Sequence, residues 1–381
     1  MNFDKLSTAV FLRDYWQKRP LLIRNAFPGF VDPLSPEELA GLACEDDVDA
    51  RLVFTRKNDW KLTSGPFNEN DFTSLPARNW TLLVQAVDQW LPEVKALLDS
   101  VNFIPNWRVD DVMVSYATAN GGVGPHFDYY DVFLVQGQGS RLWKTGQHCT
   151  SKDISRTSSG LKLVNEFHTE HEWLLEPGDV LYVPPGIAHW GVSRDNSLCY
   201  SLGFRAPSLS EMVLGYSDAC SDELSADQRY TDPKRKPELR SGEMDTASLK
   251  QMQQMLHSAL NDKQAMNMWF GRHMTQPKNP DLFAPAETIP DLQHGHFILS
   301  THPAARFAWQ QQDDNIVLFA NGETIQQPFS PLLLKLVQQL STVNGTISTS
   351  TFRKHKACRN TLETLLIQGA LFNEGEQEGQ Q

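Results

Sequence analysis

The sequence of 381 residues lacks any apolar run long enough to span a bilayer, and residues 1–7 lack the apolar core of a secretory signal peptide. It has only five cysteines, and none of them is arranged as a Cys-x-x-Cys pair. This odd, scattered set argues against both a disulfide framework and a cysteine zinc site. We therefore expect reduced thiols, a cytoplasmic location and no membrane attachment.

The sequence also lacks an excess of positive charge, since its formal net charge is −12. This balance argues against a general nucleic-acid-binding protein and is compatible with a basic partner, although many soluble proteins are simply acidic. The chain has no internal repeat, and its length predicts two or three domains. Only residues 374–381, rich in Glu, Gln and Gly, have a low-complexity composition, and we expect this tail to be frayed.

What the sequence does have is a Gly-Gly-Val-Gly-Pro-His-Phe-Asp motif at residues 121–128. His126 and Asp128 are two positions apart, so their side chains point to the same face if this segment is extended. The glycines and Pro125 predict a turn that leads into a strand. Histidine and carboxylate side chains are both ligands for a divalent metal, but a lone His-x-Asp pair is more often a surface feature.

A third ligand is available in a second segment, residues 176–189, which ends at His189. There a Pro-Gly-Asp turn, an apolar strand and a Pro-Pro-Gly turn predict two antiparallel strands that direct one imidazole inward. Together, His126, Asp128 and His189 match the two-histidine, one-carboxylate ligand set of non-haem Fe(II) oxygenases.

Both metal segments lie in a region of short predicted strands. The predicted strands are residues 108–116, 132–136, 141–145, 173–175, 180–183, 190–193 and 199–204. Gly, Pro, Asn and Asp separate them, which is typical of an all-β barrel or a double-sheet jelly roll. Within the region, His168 and His171 lie in an acidic, polar stretch that we interpret as a solvated surface loop.

Helical patterns flank the strands. Apolar residues recur at helical spacing through residues 80–91 and predict a core helix. Residues 209–220 and 246–270 also look helical, and the second segment carries a stripe of Leu and Met. Such a stripe fits either the core of a helical bundle or an interface with another subunit. Residues 277–290 are rich in proline and predict a linker.

The C-terminal part predicts a small α+β module of winged-helix type. It combines strands at residues 306–310 and 315–319 with helices at residues 331–340 and 359–371. Four basic residues in it could contact nucleic acid, namely Arg353, Lys354, Lys356 and Arg359. Acidic residues offset these charges across the module, so we favour a solvated face over a nucleic-acid interface.

Alternation along the predicted strands groups further side chains. Asp111, Met113 and Ser115 share one strand face, and Arg141 shares another with Trp143. An inward arginine needs an anion, and its planar guanidinium suits a carboxylate. Arg141 is therefore a candidate for holding a 2-oxoacid cosubstrate beside the metal. An outward Arg141 in a surface ion pair fits the alternation equally well, because the sequence does not reveal which face is inside.

At these residues the sequence resembles the JmjC-type ribosomal oxygenases, whose bacterial members hydroxylate an arginine of large-subunit ribosomal protein L-sixteen. The resemblance rests on residues 121–143 and 176–189, and on Tyr-Ser-Leu-Gly-Phe-Arg-Ala-Pro at residues 200–207. It extends from Tyr-Trp-Gln-Lys-Arg-Pro at residues 15–20 through the barrel and, more weakly, to the C-terminus. It implies a double-stranded β-helix of the JmjC/cupin type with flanking helices.

The resemblance also implies a domain order. We expect a catalytic domain at residues 1–207, a helical region that forms a homodimer at 208–276, a linker at 277–290, a winged-helix-like domain at 291–373 and a tail at 374–381. For the site, the resemblance implies Fe(II) bound by His126, Asp128 and His189. It implies 2-oxoglutarate held by Arg141, where relatives often carry Lys, with O2 as the second cosubstrate.

A substrate arginine is also implied by the resemblance, bound by Asp111, Met113, Tyr130 and Ser201. This set is physically reasonable, because Asp111 can pair with a guanidinium while Tyr130 and Met113 hold its plane and its stem. The implied function is a protein-arginine 3-hydroxylase that acts on ribosomal protein L-sixteen.

Three alternatives stay open at this point. The same chemistry could act on a histidine of another ribosomal protein, the barrel could be a non-catalytic metal-binding cupin, or the winged helix could belong to a nucleic-acid-binding regulator. Asp111 favours a cationic target, and the combination of Arg141 with a carboxylate ligand favours an enzyme. The winged helix is not basic, so we do not expect nucleic-acid binding.

Overall fold

The computed structural model describes residue 1 and residues 6–56, 59–156, 160–233, 235, 242–286, 288–343 and 345–374. Its chain divides into two compact units. The first contains Met1–Ala206, Lys278–Ala305 and Ser330–Gln381, and the second contains Pro207–Pro277 and Arg306–Phe329. Because this division splits the predicted winged-helix region, the predicted domain boundaries stay a prediction. Most of the predicted tail lies outside the described residues. No described helix is both long enough and apolar enough to cross a membrane.

Short antiparallel strands build the barrel of the first unit. In chain order they are β1 (Leu21–Ile23), β2 (Ala50–Arg56), β3 (Asp59–Ser64), β4 (Trp80–Val84), β5 (Val109–Ala117), β6 (Val132–Gln136), β7 (Arg141–His148), β8 (Ile154–Arg156), β9 (Lys162–Val164), β10 (Thr169–Leu175), β11 (Val180–Val183), β12 (Ile187–Ser193) and β13 (Ser197–Phe204). The larger sheet has the order β1-β11-β6-β13-β5-β4-β2-β3, and a smaller one has the order β10-β7-β12. Since most neighbours in these sheets are not consecutive in the chain, the strands form the predicted jelly roll.

The core of the barrel lies along the centre of the larger sheet. Strands β6, β11 and β13 are buried at every position, and their near-continuous apolar sequences suit strands covered on both faces. Helix α1 (Thr8–Asp14) adds Phe11, whose ring centroid lies 4.9 Å from that of Tyr182. Full burial of such an aromatic side chain contributes about 1.5–3 kcal/mol. This packing fixes the strands that carry the site.

Three more helices lie before β5: α2 (Pro36–Leu42), α3 (Glu69–Thr73) and α4 (Pro92–Lys95). Short 3-10 turns span Val87–Gln89, Ala96–Val101 and Asn106–Arg108. Side chains cap two of the helix starts in this part of the chain. The Ser7 hydroxyl accepts a hydrogen bond from the backbone N–H of Val10, and Ser35 and Glu38 form a capping box at α2.

The predicted helix at residues 80–91 is wrong. Residues Trp80–Val84 form strand β4, which pairs with β2 and β5 in the larger sheet, and Val87–Gln89 form a 3-10 turn. A strand buried on both faces shows no alternation, so its apolar residues coincide by chance with helical spacing. The neighbouring strands β2 and β3 were not predicted either. Their pairing extends the larger sheet beyond the motifs that the sequence reveals.

His168 and His171 are exposed, as predicted, but the surrounding loop is shorter than expected. Strand β10 begins at Thr169, so His171 lies on a strand, where its ring stacks on that of Trp173 at 5.0 Å. The His168 ring is paired only with Glu166, at 3.7 Å, among the ion pairs of the described chain. Neither histidine belongs to the predicted metal site.

The elements that follow the barrel are α5 (Leu209–Glu223), α6 (Thr246–Leu260), α7 (Lys263–Thr275), β14 (Ile298–Thr301), β15 (Phe307–Gln312), β16 (Asn315–Ala320), β17 (Glu323–Pro328), α8 (Pro331–Leu340), β18 (Thr346–Ser348), α9 (Thr349–Phe352), α10 (Lys356–Ile367) and β19 (Leu371–Asn373). The second unit combines α5, α6 and α7 with the sheet β15-β16-β17. The segment predicted as one helix over residues 246–270 is therefore two helices, because Asp262 caps a new helix start.

The C-terminal segments of the first unit form a sheet with the order β18-β14-β19, accompanied by α8, α9 and α10. The predicted helix after Ser330 is confirmed as α8, whereas the predicted helix at residues 359–371 begins earlier and ends at Ile367. Its last predicted residue starts β19 instead. The predicted linker is partly ordered, with a 3-10 turn at Pro280–Leu282 and a hydrogen bond from the backbone N–H of Ala286 to the carbonyl oxygen of Leu366.

Candidate active site

The structure brings the three predicted metal ligands together. One ligand atom from each of His126, Asp128 and His189 lies within 4.8 Å of the others. The His189 Nε2 atom is 3.6 Å from a carboxylate oxygen of Asp128, and the two imidazole centroids are 4.3 Å apart. Two imidazole nitrogens and one carboxylate at these separations are the donor set that a borderline divalent metal such as Fe(II) prefers.

The backbone holds this geometry directly. His126 and His189 form an isolated antiparallel bridge, in which the N–H of His126 donates to the carbonyl of His189 at 3.0 Å and the reverse bond measures 2.7 Å. Gly124 has a φ of +84°, and a Cβ there would come within 2.9 Å of the Trp60 ring. The glycine is required on both grounds. The motif at residues 121–128 therefore leads into a single bridge pair, and the strand predicted after the turn does not form.

Each histidine is also held through its second ring nitrogen. The Nδ1 atom of His126 is 2.9 Å from the carbonyl oxygen of Gly124, and that of His189 is 3.0 Å from the carbonyl oxygen of Ile187. A carbonyl only accepts, so Nδ1 carries a proton in both rings, which leaves Nε2 as the ring atom available to a metal. Burial, followed by the nearby His126, lowers the pKa of His189 to about 4. The ring is thus neutral at physiological pH and fit to bind a metal.

Arg141 lies inside the barrel, which decides between the two orientations that alternation allowed. Its side chain is 6% exposed, and burial lowers the pKa of the guanidinium. Nη1 donates to the hydroxyl of Ser115 at 3.0 Å, and Nη2 donates to that of Ser197 at 3.1 Å. Its Nε has no hydrogen-bond partner, and no ion pair to Arg141 is formed within the described chain. A buried cation with neutral partners only is suited to an anionic ligand.

The metal ligands and Arg141 line one cavity of 720 Å³. The four predicted substrate residues line the same cavity, and they are Asp111, Met113, Tyr130 and Ser201. A cavity of this size accommodates a small dicarboxylate together with an inserted side chain. Trp143 closes one wall, with its ring centroid 5.9 Å from that of His189. All eight sequence-predicted residues are therefore placed around one space.

Asp111 has partners that were not predicted. One oxygen of its carboxylate accepts a hydrogen bond from the backbone N–H of Ala86 at 3.0 Å, and the same oxygen lies 3.0 Å from the ammonium of Lys278. The Tyr130 hydroxyl lies among the carboxylates of Asp128, Asp111 and Asp110, and its pKa is raised by withdrawal from solvent and by those charges. Tyr130 thus links the metal ligands to the predicted substrate residues.

Two residues of the site were missed at the sequence level. Ser197 precedes Ser201 by four positions on β13, so alternation puts it on the same strand face as Ser201, which the resemblance had implied. Lys278 lies in the segment predicted as a linker, and no local pattern connects it to the barrel. Only tertiary structure reveals that contact.

The class of protein follows from comparison of the barrel with known families. The family model of the JmjC domain matches residues 96–212, a range that contains every predicted site residue. The ROXA-like winged helix model matches residues 255–372. With a two-histidine, one-carboxylate ligand set in its jelly roll, the chain has the domain architecture of a JmjC-type oxygenase.

Individual proteins that match most of this chain identify the family within this class. The ribosomal protein uL16 3-hydroxylase of Escherichia coli is 36% identical over 344 residues, 87% of this chain and 88% of that protein. A probable ribosomal oxygenase of Haemophilus influenzae is 38% identical over 273 residues, 70% of this chain and 67% of that one. The Escherichia coli ribosomal oxygenase YcfD, solved with cobalt and 2-oxoglutarate, matches with a TM-score of 0.83 and 33% identity over 97% of this chain and 99% of that chain. The chain belongs to the ribosomal oxygenase family.

Proposed function

We propose that this protein is an Fe(II)- and 2-oxoglutarate-dependent dioxygenase that hydroxylates an arginine side chain of ribosomal protein uL16, the L-sixteen protein of the sequence resemblance. The proposal rests on one observation: the three metal ligands line the same cavity as Arg141, a buried cation that is suited to an anionic ligand. The name of the Escherichia coli relative, a uL16 3-hydroxylase, supports the substrate and an arginine 3-hydroxylase product. A ribosomal-protein substrate supports a cytoplasmic location.

His126, Asp128 and His189 would hold Fe(II), with their carbonyl-anchored rings keeping both Nε2 atoms aimed at the metal. Bound Fe(II) and 2-oxoglutarate supply O2 activation, in which one oxygen atom enters succinate, CO2 is released and the other oxygen enters the substrate C–H bond. A structure of the relative YcfD contains cobalt and 2-oxoglutarate, which supports this cofactor set. The protein contributes position, and the cofactors contribute the reactivity.

Arg141 would bind the distal carboxylate of 2-oxoglutarate as a two-pronged pair. Ser115 and Ser197 hold its two terminal nitrogens, so the guanidinium plane is fixed before the cosubstrate enters. A charge that is already desolvated and oriented loses little further freedom on binding. Trp143 and the surrounding barrel strands limit the water that reaches this end of the cavity.

The substrate arginine would enter over Tyr130 and Met113 and direct its guanidinium to Asp111, with Ser201 as a further polar contact. Asp111 is 5% exposed, and such a buried carboxylate favours a cationic group over a neutral one. The planar fork of arginine also distinguishes it from lysine. The target carbon then lies between this pocket and the metal ligands, where positioning selects the site of reaction.

A homodimer through the helical region is part of the proposal. Helix α6 has no buried residue, and its apolar stripe of Leu249, Met252, Met255 and Leu256 is open to solvent. Leu256 alone is 56% exposed. Monomeric proteins rarely leave such stripes uncovered, and the exposure argues against the alternative of a core within one chain. We expect sedimentation to give a dimer at micromolar concentration and Leu256→Glu to give monomers, with the change Gln254→Glu on the opposite, polar face of α6 as the control.

The winged helix has no assigned partner, and we propose that it does not bind nucleic acid. The Arg353 guanidinium contacts the ring of His296 at 3.0 Å, and Arg359 donates to the carbonyl oxygen of Arg353 at 2.6 Å. These basic groups are therefore engaged within the chain. Salt-dependent binding to duplex DNA would contradict this part of the proposal.

The test of function uses a uL16 peptide that contains the target arginine. With Fe(II), 2-oxoglutarate and O2, we expect mass spectrometry to show one added oxygen on arginine and an equal yield of succinate. A matched peptide with lysine at that position should be a poor substrate. Succinate release without any peptide oxidation would indicate a different target. Oxygen added to histidine in a histidine-containing peptide would favour the histidine alternative. The absence of any 2-oxoglutarate turnover would favour a non-catalytic cupin.

A further inference from the structure

Asp110 and Asp111 lie at an irregularity in the larger sheet. Leu202 on β13 is paired with Val112 on β5, but Phe204 is paired with Val109, so Gly203 alone faces two residues of β5. This count of two against one defines a β-bulge, a device that redirects side chains near active sites. Successive strand residues normally point to opposite faces. The bulge explains how both carboxylates can reach one side-chain partner.

That partner is Lys278. Its ammonium lies 2.9 Å from a carboxylate oxygen of Asp110 and 3.0 Å from one of Asp111. The two carboxylates raise the pKa of Lys278 despite the opposing effect of its partial burial. The other oxygen of Asp110 lies 3.3 Å from Nε of Arg205. Two acids and two bases therefore alternate along one line that ends at Asp111, and only Asp111 among these four residues lines the cavity.

The two oxygens of Asp111 have different surroundings. Oδ2 receives both the backbone N–H of Ala86 and the ammonium of Lys278. Oδ1 lies 3.5 Å from the point where a Cβ would stand on Gly203, a residue of the cavity wall. Lys278 thus approaches the carboxylate through the oxygen that the backbone also holds. The rotation of the carboxylate about its side-chain bonds is limited from this side.

We propose that Lys278 is a positioning residue for the cationic substrate: it offsets the repulsion of Asp110 and holds Asp111 ionised and oriented toward the cavity. This role rests on the proposed arginine hydroxylation and adds a residue to substrate recognition. Arg205 and Lys278 together balance the two carboxylates, and Asp111 is the one member of the four that faces the cavity and can meet the substrate guanidinium. Without it, two like charges would face each other in a bulge where one of them is almost fully buried, and such a charge is costly when unpaired.

An ordinary surface ion pair is the simpler reading of the same contact. The Lys278 side chain is 34% exposed, and exposed pairs contribute little to stability. The two readings differ in what they predict. A surface pair affects stability slightly and binding not at all, whereas a positioning role affects the affinity for the substrate and depends on Asp110.

The experiment measures binding of the uL16 arginine peptide by calorimetry to enzyme loaded with Co(II) and 2-oxoglutarate, a state that does not need turnover. In Lys278→Met we expect the peptide Kd to rise about tenfold, while the Kd of 2-oxoglutarate stays within about twofold. Lys278→Arg keeps the charge and should restore peptide affinity. Lys144→Met is the matched control, because Lys144 is similarly exposed and pairs with Glu172 on the same barrel.

A double variant separates positioning from loss of structure. Removing the repelling carboxylate in Lys278→Met/Asp110→Asn should return the peptide Kd to within about threefold of wild type, because the two charges that face Asp111 are then both gone. A lower peptide Kd in Lys278→Met would overturn the inference and make Lys278 a competitor of the substrate. An unchanged Kd, or a double variant no better than the single one, would reduce it to a surface pair. If wild type itself does not bind the arginine peptide, the proposed substrate fails, and this role fails with it.

Discussion

At the metal end of the cavity, His126 and His189 are held by backbone atoms within two residues of each ring, whereas at the substrate end Asp111 is held by segments far apart in the sequence. The metal end consists of His126, Asp128 and His189, and the substrate end consists of Asp110, Asp111 and Lys278. At the metal end, a carbonyl two residues away fixes each histidine ring, and one antiparallel bridge joins the two segments. The substrate end is assembled by tertiary structure, from β5, the turn at Ala86 and the segment after α7.

The difference has a physical basis in what each end must do. A metal site needs ligand atoms fixed to a few tenths of an ångström, and short backbone hydrogen bonds provide that precision. A substrate pocket needs a charged group that a large side chain can approach from the cavity. The group that neutralises this charge in the free enzyme, here Lys278 for Asp111, therefore lies outside the cavity lining. We expect changes at the metal end to abolish turnover and changes at the substrate end to weaken substrate affinity.

The largest effect is expected from His189→Ala, which removes a ligand at the metal end. We expect hydroxylation to fall by more than the roughly 10–100-fold that loss of an outer hydrogen-bond partner costs, because a ligand itself is gone. The barrel should remain folded, since the change removes one inward polar group and little core volume. Mass spectrometry of the peptide and metal analysis of the purified protein measure both effects.

The control for this change is His168→Ala, because the His168 side chain is 70% exposed and lies outside the site. That variant should keep wild-type activity and metal content. Near-normal hydroxylation by His189→Ala would remove His189 from the ligand set. The equivalent change at His126 should behave in the same way.

Next in size is the loss of the cosubstrate cation in Arg141→Met. Removal of one partner of a buried, hydrogen-bonded charge pair costs about 2–5 kcal/mol, so 2-oxoglutarate binding should weaken by about a hundredfold or more. Arg141→Lys should recover part of it, since the charge remains but the two-pronged geometry is lost. Calorimetry on the Co(II)-loaded protein gives these affinities. Equal 2-oxoglutarate affinity in Arg141→Met would assign the buried guanidinium a structural role only.

The metal end was largely predictable from sequence, because its determinants are local. His126 and Asp128 share a face by strand alternation, and the glycines and prolines around them predict the turns that the structure contains. The sequence predicted that Arg141 and Trp143 share a strand face, but it did not predict that this face is inside the barrel. Alternation gives the relative face of two residues, and only the burial of Arg141 and Trp143 in the folded barrel shows that their face is inside.

The substrate end shows why the remainder could not be predicted. Alternation places Asp111 beside Met113, but a bulge is a property of two paired strands and leaves no mark in one of them. Lys278 contacts Asp110 and Asp111 from a distant part of the sequence, and no periodic pattern in the chain predicts such a contact. The prediction for Trp80–Val84 was wrong for a related reason, since burial on both faces removes the alternation by which strands are identified.

A change of intermediate size tests the substrate end itself. Asp111→Asn keeps the shape of the side chain and removes its charge, so we expect kcat/KM for the arginine peptide to fall about 10–100-fold. The affinity for 2-oxoglutarate should not change, because Ala86 and Lys278 hold the Asp111 carboxylate, whereas Ser115 and Ser197 hold the Arg141 guanidinium. Equal hydroxylation of arginine and lysine peptides by wild type would contradict the assignment of Asp111 as the cation-binding group.

The smallest effect is expected where the two ends meet, at Tyr130. Its hydroxyl lies near the charge of the metal ligand Asp128, to which we expect it to donate, and its ring belongs to the wall where the substrate stem is proposed to pass. Tyr130→Phe removes the hydroxyl and keeps the ring. If the two ends are separate devices, this change should weaken metal affinity by about tenfold, the low end of what an outer hydrogen-bond partner contributes, and leave peptide affinity unchanged.

Tyr130→Ala completes this test, because it removes the ring as well and should add a loss of peptide affinity to the loss of metal affinity. Tyr129→Phe is the control, since Tyr129 lines the same cavity and is more exposed. Metal titration and peptide calorimetry are run on the same preparations. A Tyr130→Phe variant that binds metal normally but loses peptide would show that the hydroxyl serves the substrate. The expected hydrogen bond to Asp128 would then contribute nothing to metal binding, and the metal end would depend on its own bridge alone.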